Sequence, residues 1–278
     1  MDAHFKAVHM NAAHEDFIGN NGIGRYVFIP GSDGRAEAIA AHFDNVVVKK
    51  HSRAHNLYMG TLTRHGKTID VASISSGMGA SSMDIVLTEL LKLGAKRFLR
   101  IGTAGLLQVG RMQAGESVIV TASVRDESTS ACYVPLEYPA LASFEMVQAT
   151  CAAAQALNMQ KITHRGIVHS KASLHAREFE EGPQKAQNKA YMDVMVRSGV
   201  LASEMETSML FVRASIADAE AQQLGVGAQY RVLAGAICVI VGDRDNFADE
   251  SIIKKGTELA VDLGIETFFQ LAGQESAA

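Results

Sequence analysis

Three arginines stand at glycine turns or strand ends, where a planar and permanently charged fork could hold an oxyanion. They are Arg35 in PGSDGR, Arg53 in HSRAHNLY and Arg100 in FLRIGTAG. Ligands of α/β sheets bind outside the carboxyl ends of the strands, where loop amides and helix N-termini are also available. Phosphate suits that combination. Taken singly, each arginine could equally be a solvated surface residue. Arg100 carries the most information, because a charge inside an apolar strand is costly to bury without an anionic partner. That partner would be a ligand or an internal carboxylate in a structural ion pair. A second cluster is SEMET (203–207), in which Glu204 and Glu206 flank Met205. Acidic residues in a first helical turn offset the macrodipole, which is one reading of the pair. The preceding GVLA run also sets it near a strand end, where a carboxylate could accept both vicinal hydroxyls of a ribose.

The elements that must position these residues alternate. Residues 26–30 (YVFIP) read as a strand and 36–43 as a helix; 68–75 read as a strand and, after the GMG break, 81–93 as an amphipathic helix. Strands follow at 98–101, 116–124 and 163–168, with a serine-capped helix at 143–157. Good helix formers fill 204–219, a long apolar run at 232–241 suits a fully buried strand, and 249–271 closes with a helix. The alternation predicts a single α/β domain over residues 1–278, with a central mixed sheet flanked by helices on both faces. Residues 125–139 and 170–188 are the expected irregular stretches.

Across 278 residues, 47% apolar and 20% charged content supports a sizeable core and excludes extensive disorder. A formal charge of -4 supplies no general cationic field for a polyanion, so nucleic acid is not an expected partner. Cys132, Cys151 and Cys238 are odd in number and widely spaced, and read as buried thiols in a reducing compartment. The N-terminus shows no apolar run of signal-peptide type and no segment reaches about 18 uninterrupted apolar residues, which predicts a cytoplasmic protein without membrane contact.

In order, PGSDGR (30–35), SSGMGASS (75–82), LRIGTAG (99–105), VTASVR (120–125), VPLEYPAL (134–141) and GVLASEMETS (199–208) resemble the nucleoside phosphorylase-I family over nearly the whole chain. With PLEYPAL following TASVR, the similarity is to its uridine-cleaving branch more than to its purine branch. The resemblance implies that Gly31, Arg35, Arg100 and Thr103 hold phosphate, joined by Arg53 of a neighbouring subunit. It implies that Met205 and Glu206 grip the ribose and that His9, also from a neighbour, meets the 5'-hydroxyl. The first residues, to about 20, would then be an arm contacting that neighbour, and a homodimer the minimum active unit; a histidine so near a terminus is otherwise a surface residue. In the family's uracil-reading segment an aromatic and a glycine precede a glutamine and an arginine. FEEGPQK (179–185) is the nearest match, so Phe179 would stack on the base while Gln184 and Lys185 replace the polar contacts. Lysine lacks arginine's bidentate geometry, and a solvated charged loop is the other reading of this segment. In CVIVGDR (238–244), Arg244 would stabilise a departing uracil anion, and Asp243 as an acid at a purine N7 is the alternative. Ala104 replaces a hydroxyl residue frequent in relatives.

The implied reaction is phosphorolysis of uridine to uracil and α-D-ribose 1-phosphate, catalysed by Arg100, Glu206 and Arg244. Inorganic phosphate is the co-substrate, and no cofactor or metal is demanded. A hydrolytic nucleosidase of the same fold would have no use for the arginine cluster. A non-catalytic nucleoside- or dinucleotide-binding protein is a third reading, against which no intact GxGxxG opens a helix.

Overall fold

Residues 5–225, 227–243 and 246–277 are described by the structure, a computed structural model. The elements run β1 (Tyr26–Phe28), α1 (Asp33–Ala40), β2 (Asp44–Lys49), β3 (Leu57–Arg64), β4 (Lys67–Ser73), α2 (Ala80–Lys92), β5 (Arg97–Leu106), β6 (Ser117–Asp126) and β7 (Ala140–Leu141). There follow α3 (Phe144–Ala156), β8 (Thr163–Lys171), α4 (Leu174–Glu178), α5 (Lys185–Arg197), β9 (Ala202–Glu204), α6 (Thr207–Gln222), β10 (Leu233–Ile240) and α7 (Glu250–Ala277).

The expected mixed sheet is present, in the order β10-β6-β8-β9-β5-β1-β4-β3-β2. Because β10 pairs with β5 as well as with β6, the first five strands of that path close into a ring, and β1, β4, β3 and β2 extend from it as an open sheet. Closure explains the unbroken burial of β10, whose apolar run has a hydrogen-bonded neighbour on each edge. Side chains alternate between two cores. From β1, Val27 joins the core under α2 and α6, while Tyr26 and Phe28 join the core under α1, α3 and α7.

On β5, Phe98 and Leu99 divide in the same way, so Arg100 leaves the strand on the side of Phe98, toward α6. Gly102 shares that side. A Cβ there would come within 3.0 Å of Arg100 Nε, so the glycine gives the guanidinium room to fold across the strand. The GMG break is likewise steric: Gly77 and Gly79 have φ of +73° and +83°, and a Cβ on Gly77 would run into Ser82 Oγ.

Several expectations are corrected. β5 does not stop at the glycines but continues to Leu106, and residues 170–188 hold the end of β8, all of α4 and the start of α5. Ser143 precedes α3 without capping it; its Oγ accepts from the Ala234 amide at 2.9 Å and ties the helix start to β10. Of the cysteines, Cys238 alone is buried, Cys151 is half-buried and Cys132 exposed. Among the described residues, no helix is long and apolar enough to cross a membrane.

Candidate active site

The carboxyl ends of β1, β5, β8, β9 and β10 open into a cavity of about 310 Å³. Gly31, Arg35, Arg100, Thr103, Met205 and Glu206 all line it, drawn from segments far apart in the chain. Arg100 is buried. Its fork meets the Glu206 carboxylate, Nη1 donates to Ser76 Oγ at 3.4 Å, and Glu204 Oε2 lies 3.6 Å from Nε. Burial works against the cation, but Glu206 and then Glu204 outweigh it, so Arg100 holds its proton more tightly than an ordinary arginine. Arg35, in the first turn of α1, donates to the Ile101 carbonyl at 3.4 Å. Burial, with the like charge of Arg100 second, lowers its pKa from the ordinary value.

SEMET divides between its two readings. Glu204 closes the start of α6, accepting from the Glu206 amide at 2.8 Å, the Thr207 amide at 3.0 Å and Thr207 Oγ1 at 2.6 Å. Glu206 instead turns toward Arg100 and accepts from the Gly79 amide, the N-cap of α2, at 2.6 Å. Burial raises the Glu206 pKa, Arg100 pulls it down, Glu204 pushes it up, and the net direction is upward. Both SEMET carboxylates line the cavity, so the macrodipole argument and the site argument each describe one of them.

The residues expected to meet a base are divided between two cavities. Phe179 lines the cavity and meets Phe247 edge-on, with centroids 6.4 Å apart. Gln184 and Lys185 are not brought there: both are exposed, at the N-cap and first residue of α5, and Gln184 lines a separate cavity with Asp126 and Arg177. The cause is helical. Leu174 and Glu178, one turn apart on α4, face the first cavity, while Ser173, Ala176 and Arg177 face the second. Arg177 fixes that orientation by a bidentate grip on Asp126 at 2.7 and 2.8 Å. Asp243 lines the cavity, and Arg244 lies outside the described residues.

Arg53 is exposed, in the turn after β2, and does not line this chain's own cavity. His9 also lies away from it, its Nδ1 2.8 Å from Glu89 Oε1 and its backbone amide 3.0 Å from Oε2. Lys171, Glu178, Ser203 and Phe247 are cavity residues to which sequence reasoning gave no role. The signal that singled out Arg100, a cation in an apolar strand, was absent for Lys171, because THRGIVHSK has only Ile167 and Val168 as apolar residues. Arg97 shows how ambiguous that signal is: it is fully buried on β5, but pairs with Glu275 of α7 at 2.6 Å, a structural ion pair.

The chain belongs to the phosphorylase superfamily, whose family model matches residues 25–263. It is 32% identical over 257 residues to the uridine phosphorylase of Treponema pallidum, an overlap of 91% of this chain and 92% of the relative. It is 30% identical over 219 residues to the guanosine phosphorylase of Halorubrum lacusprofundi, covering 77% of each chain. The crystal structure of uridine phosphorylase from Vibrio fischeri superposes with a TM-score of 0.72 at 26% identity, over 91% of this chain and 94% of that one.

Proposed function

We propose that the protein is a nucleoside phosphorylase, a pentosyltransferase that moves the ribosyl group of a nucleoside to inorganic phosphate, with uridine the favoured substrate. The observation that carries this reading is the pair of guanidinium groups, Arg35 and Arg100, on one cavity with Glu206. Two partly desolvated cations of like sign are costly to hold together, and an incoming dianion offsets that cost. Within the chain Glu206 serves as Arg100's anion. Phosphate arriving beside Arg35, Arg100, Gly31 and Thr103 competes for that fork and turns Glu206 toward the ribose hydroxyls, with Met205 against the sugar.

A phosphate oxygen then attacks the anomeric carbon as the bond to the base breaks, the bonding electron pair leaving with the base. Positive charge on the sugar develops directly above the phosphate, which stabilises it while being held in line. Attack from the face opposite the base inverts the centre and gives α-ribose 1-phosphate. Phe179 offers the base a stacking surface, and Arg244 is assigned to the departing uracil anion. Arg53 and His9 serve the site of a second subunit, a role supported by their lying outside their own chain's cavity. A cytoplasmic setting is supported by the three unpaired cysteines.

Uridine turnover with and without phosphate, with the sugar product identified by NMR, tests the reading. Equal rates in the two conditions would make the enzyme a hydrolase. Asp243 on the cavity wall and the guanosine phosphorylase relative favour a second reading, a purine nucleoside protonated at N7 by Asp243. A panel of uridine, thymidine, inosine and adenosine separates the two.

A further inference from the structure

On the cavity wall with Met205 and Glu206, two oppositely charged side chains are buried that the phosphate and ribose assignments leave unused. Lys171 ends β8 and is 2% exposed; Glu178 ends α4 and is 5% exposed. Lys171 Nζ donates to Ser203 Oγ at 2.9 Å and lies 3.0 Å from Glu178 Oε2. Apart from that ammonium contact, the Glu178 carboxylate is buried without a hydrogen-bond donor. The carboxylate lies against Gly105, where a Cβ would fall 2.8 Å from Oε1, and both Gly105 and Glu178 line the cavity beside Phe179. A buried carboxylate with an unfilled acceptor costs stability unless a donor arrives to fill it. Lys171 is held in place from behind: Ser203 Oγ is 3.0 Å from His169 Nδ1, and His169 Nε2 is 2.9 Å from Asp126, which Arg177 grips.

We propose that Lys171 and Glu178 read the edge of the nucleobase, Glu178 accepting from a ring N–H and Lys171 donating to the adjacent ring carbonyl. Such a pair fits bases in which N–H and C=O are neighbours. Uracil presents them at N3 and O4, and 6-oxopurines at N1 and O6. Cytosine and adenine reverse both, offering an unprotonated ring nitrogen and an amino group, and would set acceptor against Glu178 and donor against Lys171. The site therefore takes oxo-bases and rejects amino-bases. This assignment rests on the phosphorylase reading and replaces the expected contacts of Gln184 and Lys185.

The test is phosphorolysis of uridine, inosine, cytidine, adenosine and 3-methyluridine by the wild-type enzyme and by Glu178→Gln and Lys171→Met. Wild type is expected to cleave uridine or inosine at least about 10²-fold better, in kcat/KM, than the amino-bases or 3-methyluridine. Glu178→Gln, which can present a donor, is expected to narrow the uridine-to-cytidine ratio by about tenfold or more, with KM for phosphate unchanged. A purely structural pair would lower all substrates together and leave the ratio alone, which overturns the proposal. Wild-type enzyme that cleaves cytidine and 3-methyluridine as well as uridine also overturns it, whatever the variants do, and leaves phosphorolysis standing. Absence of phosphate-dependent cleavage of every nucleoside would overturn the functional reading itself. Calorimetry of uracil against cytosine binding to the wild type repeats the comparison without a variant, and equal affinity counts against the proposal.

Discussion

Glu206 does two jobs with one carboxylate: it accepts from the Gly79 amide at 2.6 Å and neutralises Arg100 in a buried pair. Burial raises its pKa, so it takes up a proton more readily than an ordinary carboxylate. For stability the sign is that of a carboxylate whose charged form burial disfavours. Its ionisation costs stability above the raised pKa, and that cost is relieved as pH falls through it. For activity the sign is opposite, since a protonated Glu206 neither pairs with Arg100 as an anion nor accepts from both ribose hydroxyls. The acid limb of kcat/KM is therefore expected above the ordinary glutamate value of about 4.3. Glu206→Gln keeps the shape and loses the charge, and is expected to lower kcat/KM on the order of 10²-fold and flatten that limb. A variant profile that keeps the wild-type acid limb would assign it to phosphate's own ionisation instead.

At the scale of the element, β5 carries the site because its alternation puts positions 98, 100 and 102 on one side, and Gly102 leaves space for the Arg100 guanidinium. Gly102→Ala adds a Cβ 3.0 Å from Nε and 3.1 Å from Nη2, so the fork must move. The expected result is a 10- to 100-fold fall, in order of magnitude, in kcat/KM for phosphate, with an overpacking cost of about 1–3 kcal/mol. Steady-state kinetics with varied phosphate check it, and a wild-type phosphate KM would mean that the fork's position is not critical. How much was legible in the sequence follows the same logic of local pattern. The convergence of Arg35, Arg100 and the SEMET carboxylates on one cavity was readable because they lie next to strand ends that apolar runs mark clearly. β2 and β3 were not: β2 is exposed along nearly its whole length, and Gly60 interrupts the β-branched and aromatic character of β3. Ring closure depends on β5 meeting β10 and β10 meeting β6, pairings between distant segments that leave no local trace. The placing of Gln184 and Lys185 on that cavity failed because α4 turns residues 174 and 178 inward and the chain then leaves the cavity for the start of α5, a helical pattern hidden in a stretch that reads as a polar loop.

For the whole molecule, the question is whether one chain holds a complete site. The face that includes Arg53 leaves apolar side chains exposed beside a free strand edge. β2 is the edge strand of the open sheet, Val46, Val47 and Val48 are 44%, 55% and 41% exposed, and the turn carrying Arg53 follows directly. The N-terminal segment lies on the same face, with Asn11 Nδ2 donating to the Lys50 carbonyl at 3.3 Å. If Arg53 completes the partner's phosphate site, Arg53→Ala and Arg100→Ala each break every site in their own homodimers. A mixed dimer is different: one of its sites takes Arg100 from the first variant and Arg53 from the second and is intact, while the other lacks both. Random assortment makes half the dimers mixed, so co-refolding equal amounts is expected to restore about one quarter of wild-type activity. If Arg53 acts on its own chain, each site in the mixed dimer lacks one arginine and activity stays at the mean of the two variants. Recovery to about one quarter, dependent on refolding the chains together rather than mixing them folded, distinguishes a shared site from a private one.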